Sequence, residues 1–171
     1  MPELQRLRAD HADAVLEFEK ENRSYFAASI TDRGDEFFDR FEEILRARLA
    51  EQHAGEGAYH VLVDDDGSVL GRFNLIFEPE GNGTAELGYR VAERAAGQGV
   101  ATAAVRELSR LAATRYGLRT LRAATSDANV ASQRVLTNNG FVAVGAADPA
   151  EIGGKQGTWF ELDLGAVGAE G

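Results

Sequence analysis

Two rhythms of apolar residues run along this chain. Phe37, Phe38, Phe41, Ile44, Leu45 and Leu49 recur at three- and four-residue spacing with Asp39, Glu42, Glu43, Arg46 and Arg48 opposite, which predicts an amphipathic helix over residues 35–52. Ala101, Ala104, Val105, Leu108, Leu111 and Ala112 mark a second stripe, closed at Tyr116-Gly117 by a glycine suited to a left-handed cap. Shorter stripes predict two more helices. One starts at Asp10, an N-cap with Asp13 three residues on, and runs through Ala14, Val15 and Phe18 to about residue 22; the other runs from Asp127 as N-cap to Gly140. Residues 23–34 show no clear period and read as an ordered loop.

Alternation and short apolar runs predict strands at 3–8, 59–63, 69–77, 84–91, 120–125, 141–146 and 158–164. Asp64-Asp65-Asp66-Gly67 lacks the alternating ligands and distal glutamate of a calcium loop, so it reads as a hairpin tip. About seven mostly antiparallel strands and four helices, interleaved, describe a mixed α/β sheet. With no repeat or linker to divide it, the expectation is one domain over 1–171, with a frayed tail at 165–171.

Composition narrows the chemistry. The chain has no cysteine, so disulfides, thiolate nucleophiles and Cys-held metals are excluded. His11, His53 and His60 have no ligand spacing, and no metal is expected. No apolar run reaches the roughly 20 residues of a membrane helix, and a soluble cytoplasmic protein is the expectation. The net charge is −10, but it is unevenly spread: residues 1–66 hold 17 acidic and 8 basic residues, whereas residues 84–140 hold 4 and 8. An acidic chain is a poor nonspecific nucleic-acid binder. Its basic half suits a polyanionic ligand and its acidic half would attract a cationic partner.

The stretch from Glu86 to Phe141 carries the candidate chemistry. A strand passes through Arg94-Ala95-Ala96-Gly97-Gln98-Gly99 into a helix, and such a turn points backbone N–H groups and a helix dipole at one spot, an anion cradle. Spacing excludes a Walker loop, because Gly154-Lys155 is followed by Gln156 rather than Ser or Thr. A dinucleotide fingerprint would need glycine where Thr102 stands.

Arg94-x-x-Gly97-x-Gly99 resembles the pyrophosphate loop of the GNAT acetyltransferase superfamily, in which Gln/Arg-x-x-Gly-x-Gly/Ala joins the fourth strand to the third helix. Asn129-x-x-Ser132 and Gly140-Phe141 resemble the second half of that core, in the manner of the RimJ/RimL branch. The ordered set spans about a third of the chain. The resemblance implies the GNAT acyl-CoA N-acyltransferase fold and an acetyl-CoA-dependent N-acetyltransferase that transfers directly in a ternary complex, with acetyl-CoA as co-substrate. It places the pyrophosphate on the N–H groups of Gly97, Gln98, Gly99, Val100, Ala101 and Thr102, beside Arg94. The backbone of β-strand residues Tyr89 and Val91 would face the donor, and Asn129 would hold the pantetheine arm.

In catalysis the resemblance gives Glu86 the role of general base and Ser132 that of hydrogen-bond donor to the leaving sulfur. Relatives that use tyrosine as the acid carry it four residues before the glycine of Gly-Phe, where this chain has Leu136. Tyr25, Phe26 and Trp159 are candidates to line the acceptor site. A protein N-terminal α-amine is the favoured acceptor. A small cationic amine (aminoglycoside, polyamine or amino-acid-like) and a noncatalytic acyl-CoA-binding sensor are the competing readings. Either a monomer or a homodimer fits the sequence.

Overall fold

The computed structural model describes residues 1–152 and 154–165, so the expected tail and Gly153 fall largely outside the described residues. Seven strands form one sheet: β1 (Glu3–Arg6), β2 (Gly57–Val63), β3 (Val69–Phe77), β4 (Thr84–Val91), β5 (Thr120–Ser126), β6 (Val142–Ala147) and β7 (Gly157–Asp163). Their spatial order is β1-β2-β3-β4-β5-β7-β6, and every neighbouring pair is antiparallel except β4–β5. The mixed α/β expectation holds, with six helices among the described residues, four of them long.

Two apolar layers sandwich the sheet. On one face, Ala104, Val105, Leu108 and Ala112 of α5 (Val100–Thr114) and Leu136 of α6 (Val130–Asn138) bury Phe73, Leu75, Ala85, Leu87, Leu121 and Phe160. On the other, Val15 and Phe18 of α1 (Ala12–Glu21), Phe26 of α2 (Arg23–Ala27) and Phe41 and Leu45 of α4 (Phe41–His53) cover Tyr59, Val61 and Val69. Covered on both sides, β2 is buried from Gly57 through Leu62, and so reads as an unbroken apolar run rather than an alternation.

Four local expectations need correction. Asp10 does not cap α1; it sits in a 3-10 turn over Ala9–His11, where the Arg8 backbone N–H donates to His11 Nδ1 at 3.0 Å. The segment expected as loop contains α2. The long helix expected over 35–52 is broken into α3 (Asp35–Asp39) and α4, because the backbone leaves the helical region at Arg40 (φ −111°, ψ 23°). Phe37 meets Phe41 edge to face at 5.8 Å across that break, so the apolar rhythm continues through it unaltered. The cap of α6 is Asn129, whose side chain accepts from the Ser132 N–H, whereas Asp127 takes the Thr158 hydroxyl at 2.8 Å.

Candidate functional site

The parallel pair β4–β5 positions the site. These strands are in register only from Thr84↔Thr120 to Glu86↔Arg122, and each then continues without the other. One edge of β4 beyond Glu86 therefore carries unpaired backbone groups, and a cavity of about 490 Å3 opens beside it. Tyr89, Arg90 and Val91 line it from β4; Asn129 and Ser132 line it from the start of α6. Tyr25 and Phe26 close it from α2.

Gly97 (φ +74°) and Gly99 (φ +75°, ψ 5°) both adopt the left-handed conformation that only glycine holds cheaply, and Gly99 is the N-cap of the 15-residue α5. The first acceptor inside the helix is the Gly99 carbonyl, which takes the Ala103 N–H at 3.1 Å. The N–H groups of Val100, Ala101 and Thr102 thus have no partner within the helix, and all three residues line the cavity. A Cβ on Gly97 or Gly99 would meet only open space, so it is the left-handed backbone rather than close packing that calls for glycine here. Asn139 ties the two helices at this end by donating from its amide to the Thr102 carbonyl at 3.2 Å and the Val135 carbonyl at 2.8 Å.

Across the cavity the Tyr89 and Ser132 hydroxyls are 2.9 Å apart. Tyr89 stacks on Phe73 at 5.6 Å, nearly parallel at 11°, which fixes its ring. Burial pushes the Tyr89 phenol up from its ordinary pKa, with the Ser132 hydrogen bond pulling the other way. The pair stays protonated at neutral pH and can donate into the cavity.

Four predicted site residues lie elsewhere. Glu86 alternates to the sheet face opposite Tyr89, is exposed, and sits between Ile76 and Arg122 in the register. Arg94 reaches back to the β2–β3 hairpin, donating to Ser68 Oγ at 2.8 Å with Asp64 at 3.7 Å. Gln98 donates to the Arg94 carbonyl at 3.0 Å. Trp159 lies half-buried on β7, beneath the Arg122 guanidinium at 4.3 Å.

Sequence reasoning missed Glu19. Its carboxylate is 1% exposed and takes three arginines: Arg33 at 3.0 and 3.2 Å, Arg72 at 3.1 Å and Arg90 at 3.6 Å. Burial first, then repulsion from Arg33, lowers the Arg90 pKa to about 10, and burial also lowers that of Arg72. The Arg90 guanidinium lies over the Phe26 ring at 4.8 Å, at the wall of the cavity. A signal was present: Val15, Phe18, Glu19 and Asn22 follow the i, i+3, i+4, i+7 phase, which puts a carboxylate on the buried face of α1. Asn22 completes the link by accepting the Glu93 N–H at 3.0 Å, anchoring the β4–α5 connection on α1.

Solved structures share this architecture over nearly the whole chain. A ribosomal-protein-S5-alanine acetyltransferase from Vibrio fischeri superposes with a TM-score of 0.87 at 20% identity, covering 94% of this chain and 92% of that one. RimJ of Mycobacterium smegmatis, in complex with CoA-disulfide, gives 0.84 at 21% over 96% and 82%. Spermidine N-acetyltransferase of Vibrio cholerae, with CoA and spermine, gives 0.79 at 17% over 96% of each chain. At these identities the likeness speaks to fold. No curated protein sequence matches the chain. Residues 3–142 match the model of the acetyltransferase (GNAT) domain, and with that span of its sequence matched, the chain belongs to the GNAT acetyltransferase family.

Proposed function

We propose that the protein transfers the acetyl group of acetyl-CoA to the α-amine of a protein N-terminus, directly and in a ternary complex in the cytoplasm. The observation that carries this reading is one cavity that joins a helix-start anion cradle to a pair of hydroxyl donors beside the split in the sheet. The pyrophosphate lies on the N–H groups of Val100, Ala101 and Thr102. Pantetheine follows the unpaired edge of β4 toward Gly88. Asn129, whose amide oxygen is occupied by its own helix cap, offers its amide N–H to that arm.

The amine nitrogen attacks the thioester carbon, and backbone N–H groups between Gly88 and Val91 meet the developing oxyanion. The carbon–sulfur bond breaks, the amine's proton passes through water to Glu86, and the leaving thiolate accepts a hydrogen bond from Ser132 and takes its proton from water. Tyr89, hydrogen-bonded to Ser132, holds that hydroxyl in place. An α-amine, with an ordinary pKa of about 7.7 to 8.0, asks little of the base. The relatives named for ribosomal-protein N-termini support this acceptor class.

The test is release of free thiol from acetyl-CoA with a panel of peptides bearing free N-termini, together with Ser132→Ala. The variant is expected to lose about 100-fold in kcat, within the range for removing one hydrogen-bond donor to the developing charge, with little change in KM for acetyl-CoA. An unchanged kcat would remove Ser132 from the chemistry.

A further inference from the structure

A second cavity, of about 570 Å3, lies between α4 and the face of the sheet that carries Arg72, Asn74 and Ile76. Its volume is that of a ligand site rather than a packing defect. Phe37, Phe41 and Ile44 make one wall; Arg33, Arg48 and Arg72 make another, with Glu51 and Glu56 beside them.

The charges at that wall do not balance. Arg48 is matched by Glu51 at 2.5 Å, and Glu51 also accepts the Tyr59 hydroxyl at 2.6 Å. Arg33, Arg72 and Arg90, by contrast, share Glu19 as their carboxylate. With Glu56 also on the lining, the four arginines Arg33, Arg48, Arg72 and Arg90 face the three carboxylates Glu19, Glu51 and Glu56, an excess of one positive charge, with Arg72 and Arg90 largely withdrawn from water. Burial is the main reason the pKa values of Arg72 and Arg90 are depressed, and repulsion from Arg33 adds to it. An anion entering the cavity would relieve that repulsion. A second unmet need lies on the same wall, where the amide oxygen of Asn74 is shielded from solvent with no donor among the described residues. A peptide N–H or an amine would supply one.

Register connects this cavity to the transfer site. Ile76 is paired with Glu86, Asn74 with Gly88 and Arg72 with Arg90. The cavity floor is therefore one strand away from the stretch of β4 at which the amine would react, and Arg72 of this cavity and Arg90 of the other share the Glu19 carboxylate. A chain whose amine reaches Gly88 lays its next residues along Asn74 toward the arginines.

We propose that this second cavity receives the leading residues of the acceptor protein, and that Arg33, Arg48 and Arg72 select an N-terminus with an acidic side chain close behind its α-amine. The inference rests on the N-terminal reading above and narrows it. The arginine wall disfavours a polyamine, which would bring a second ammonium against Arg33, Arg48 and Arg72. The acidic net charge of the first 66 residues does not reverse this, because Asp32 and Asp35 are held by Arg23, and Glu36 and Glu43 by Arg40, on the outer surface.

The experiment compares kcat/KM for three peptides that share a serine N-terminus and a common tail, with Glu-Glu, Ala-Ala or Lys-Lys at positions two and three. Spermidine is run beside them. The Glu-Glu peptide is expected to exceed Ala-Ala by about tenfold, the size of one charge-assisted hydrogen bond, with Lys-Lys lowest. In Arg33→Gln the Glu-to-Ala ratio should fall toward one. Arg48→Gln repeats the test outside the Glu19 cluster, so that a folding defect in one variant does not decide the matter. Acetylation of all three peptides at equal rates overturns this inference and leaves the N-terminal reading standing. Turnover of spermidine with none of the peptides acetylated overturns both.

Discussion

His60 gives a stability prediction whose size can be worked from its surroundings. The ring is 3% exposed on β2, with Nε2 3.0 Å from the Tyr116 hydroxyl. Burial is the main reason its pKa falls from 6.5 to about 4, and Arg6, its register partner on β1, and Arg115 add to the effect. The folded protein therefore resists a proton that the unfolded chain accepts. This contribution is fully present above pH 6.5 and is lost as pH falls toward 4, below which both states carry the proton. Linkage between an unfolded value of 6.5 and a folded value of about 4 costs about 2 kcal/mol on going from pH 7.5 to 5.0. For a chain of this length that is a fall of about 6 °C in Tm. His60→Gln keeps a hydrogen-bonding group near Tyr116 but does not titrate. Thermal unfolding of both proteins at the two pH values, followed by circular dichroism, isolates the residue, since His11 and every carboxylate contribute equally to each. The wild type should lose about 2 kcal/mol more than the variant. Equal losses would refute the assignment of a neutral, proton-excluding His60.

Two further substitutions probe the backbone at the site and at the far side of the sheet. Gly99→Glu places an L-residue at φ +75° and a carboxylate at the start of α5; it should cost about 1–2 kcal/mol in conformational strain and abolish the stabilisation of about 2.7 kcal/mol that coenzyme A gives at 100 times its Kd. A variant that still shows the full thermal shift with coenzyme A would move the phosphate elsewhere. Gly157→Ala would drive a methyl to 2.5 Å from the Thr125 carbonyl oxygen and 2.1 Å from the Ile152 Cδ1, so the β5–β7 pairing should weaken by about 1–3 kcal/mol in urea unfolding; an unchanged midpoint would contradict the close packing seen here.

What was legible in the sequence was what neighbouring residues decide. The strand order cannot be read from periodicity, but the strands themselves can, and so can α5, whose stripe and terminal glycine are both local. The failures came where several local signals were equivalent. Asp127 and Asn129 are both good caps two residues apart, and the choice fell to Asn129 because the Thr158 hydroxyl engages Asp127. The break at Arg40 left no trace because Phe37 and Phe41 keep helical spacing on either side of it. In the site, the glycine cradle was readable because it is built from backbone within six residues. The Tyr89–Ser132 hydrogen bond was not, because it joins residues 43 positions apart.

The Glu19 cluster shows why a segment's net charge is a poor guide to a pocket's. Residues 1–66 carry nine more acids than bases, and that count alone predicts attraction for a cationic acceptor. Folding sorts those charges by position: Asp35, Glu36 and Glu43 stay on the outer surface of α3 and α4, where water and the neighbouring Arg23 and Arg40 neutralise them at little gain. The one acid that α1 turns inward meets Arg72 and Arg90 from the sheet, and a field in a poorly screened interior is set by those few groups. The sign of the surface and the sign of the cavity wall are thus independent. Long-range attraction would act on the acceptor's overall charge, and selection on the residues next to its amine. An acceptor that is basic overall with an acidic start would satisfy both.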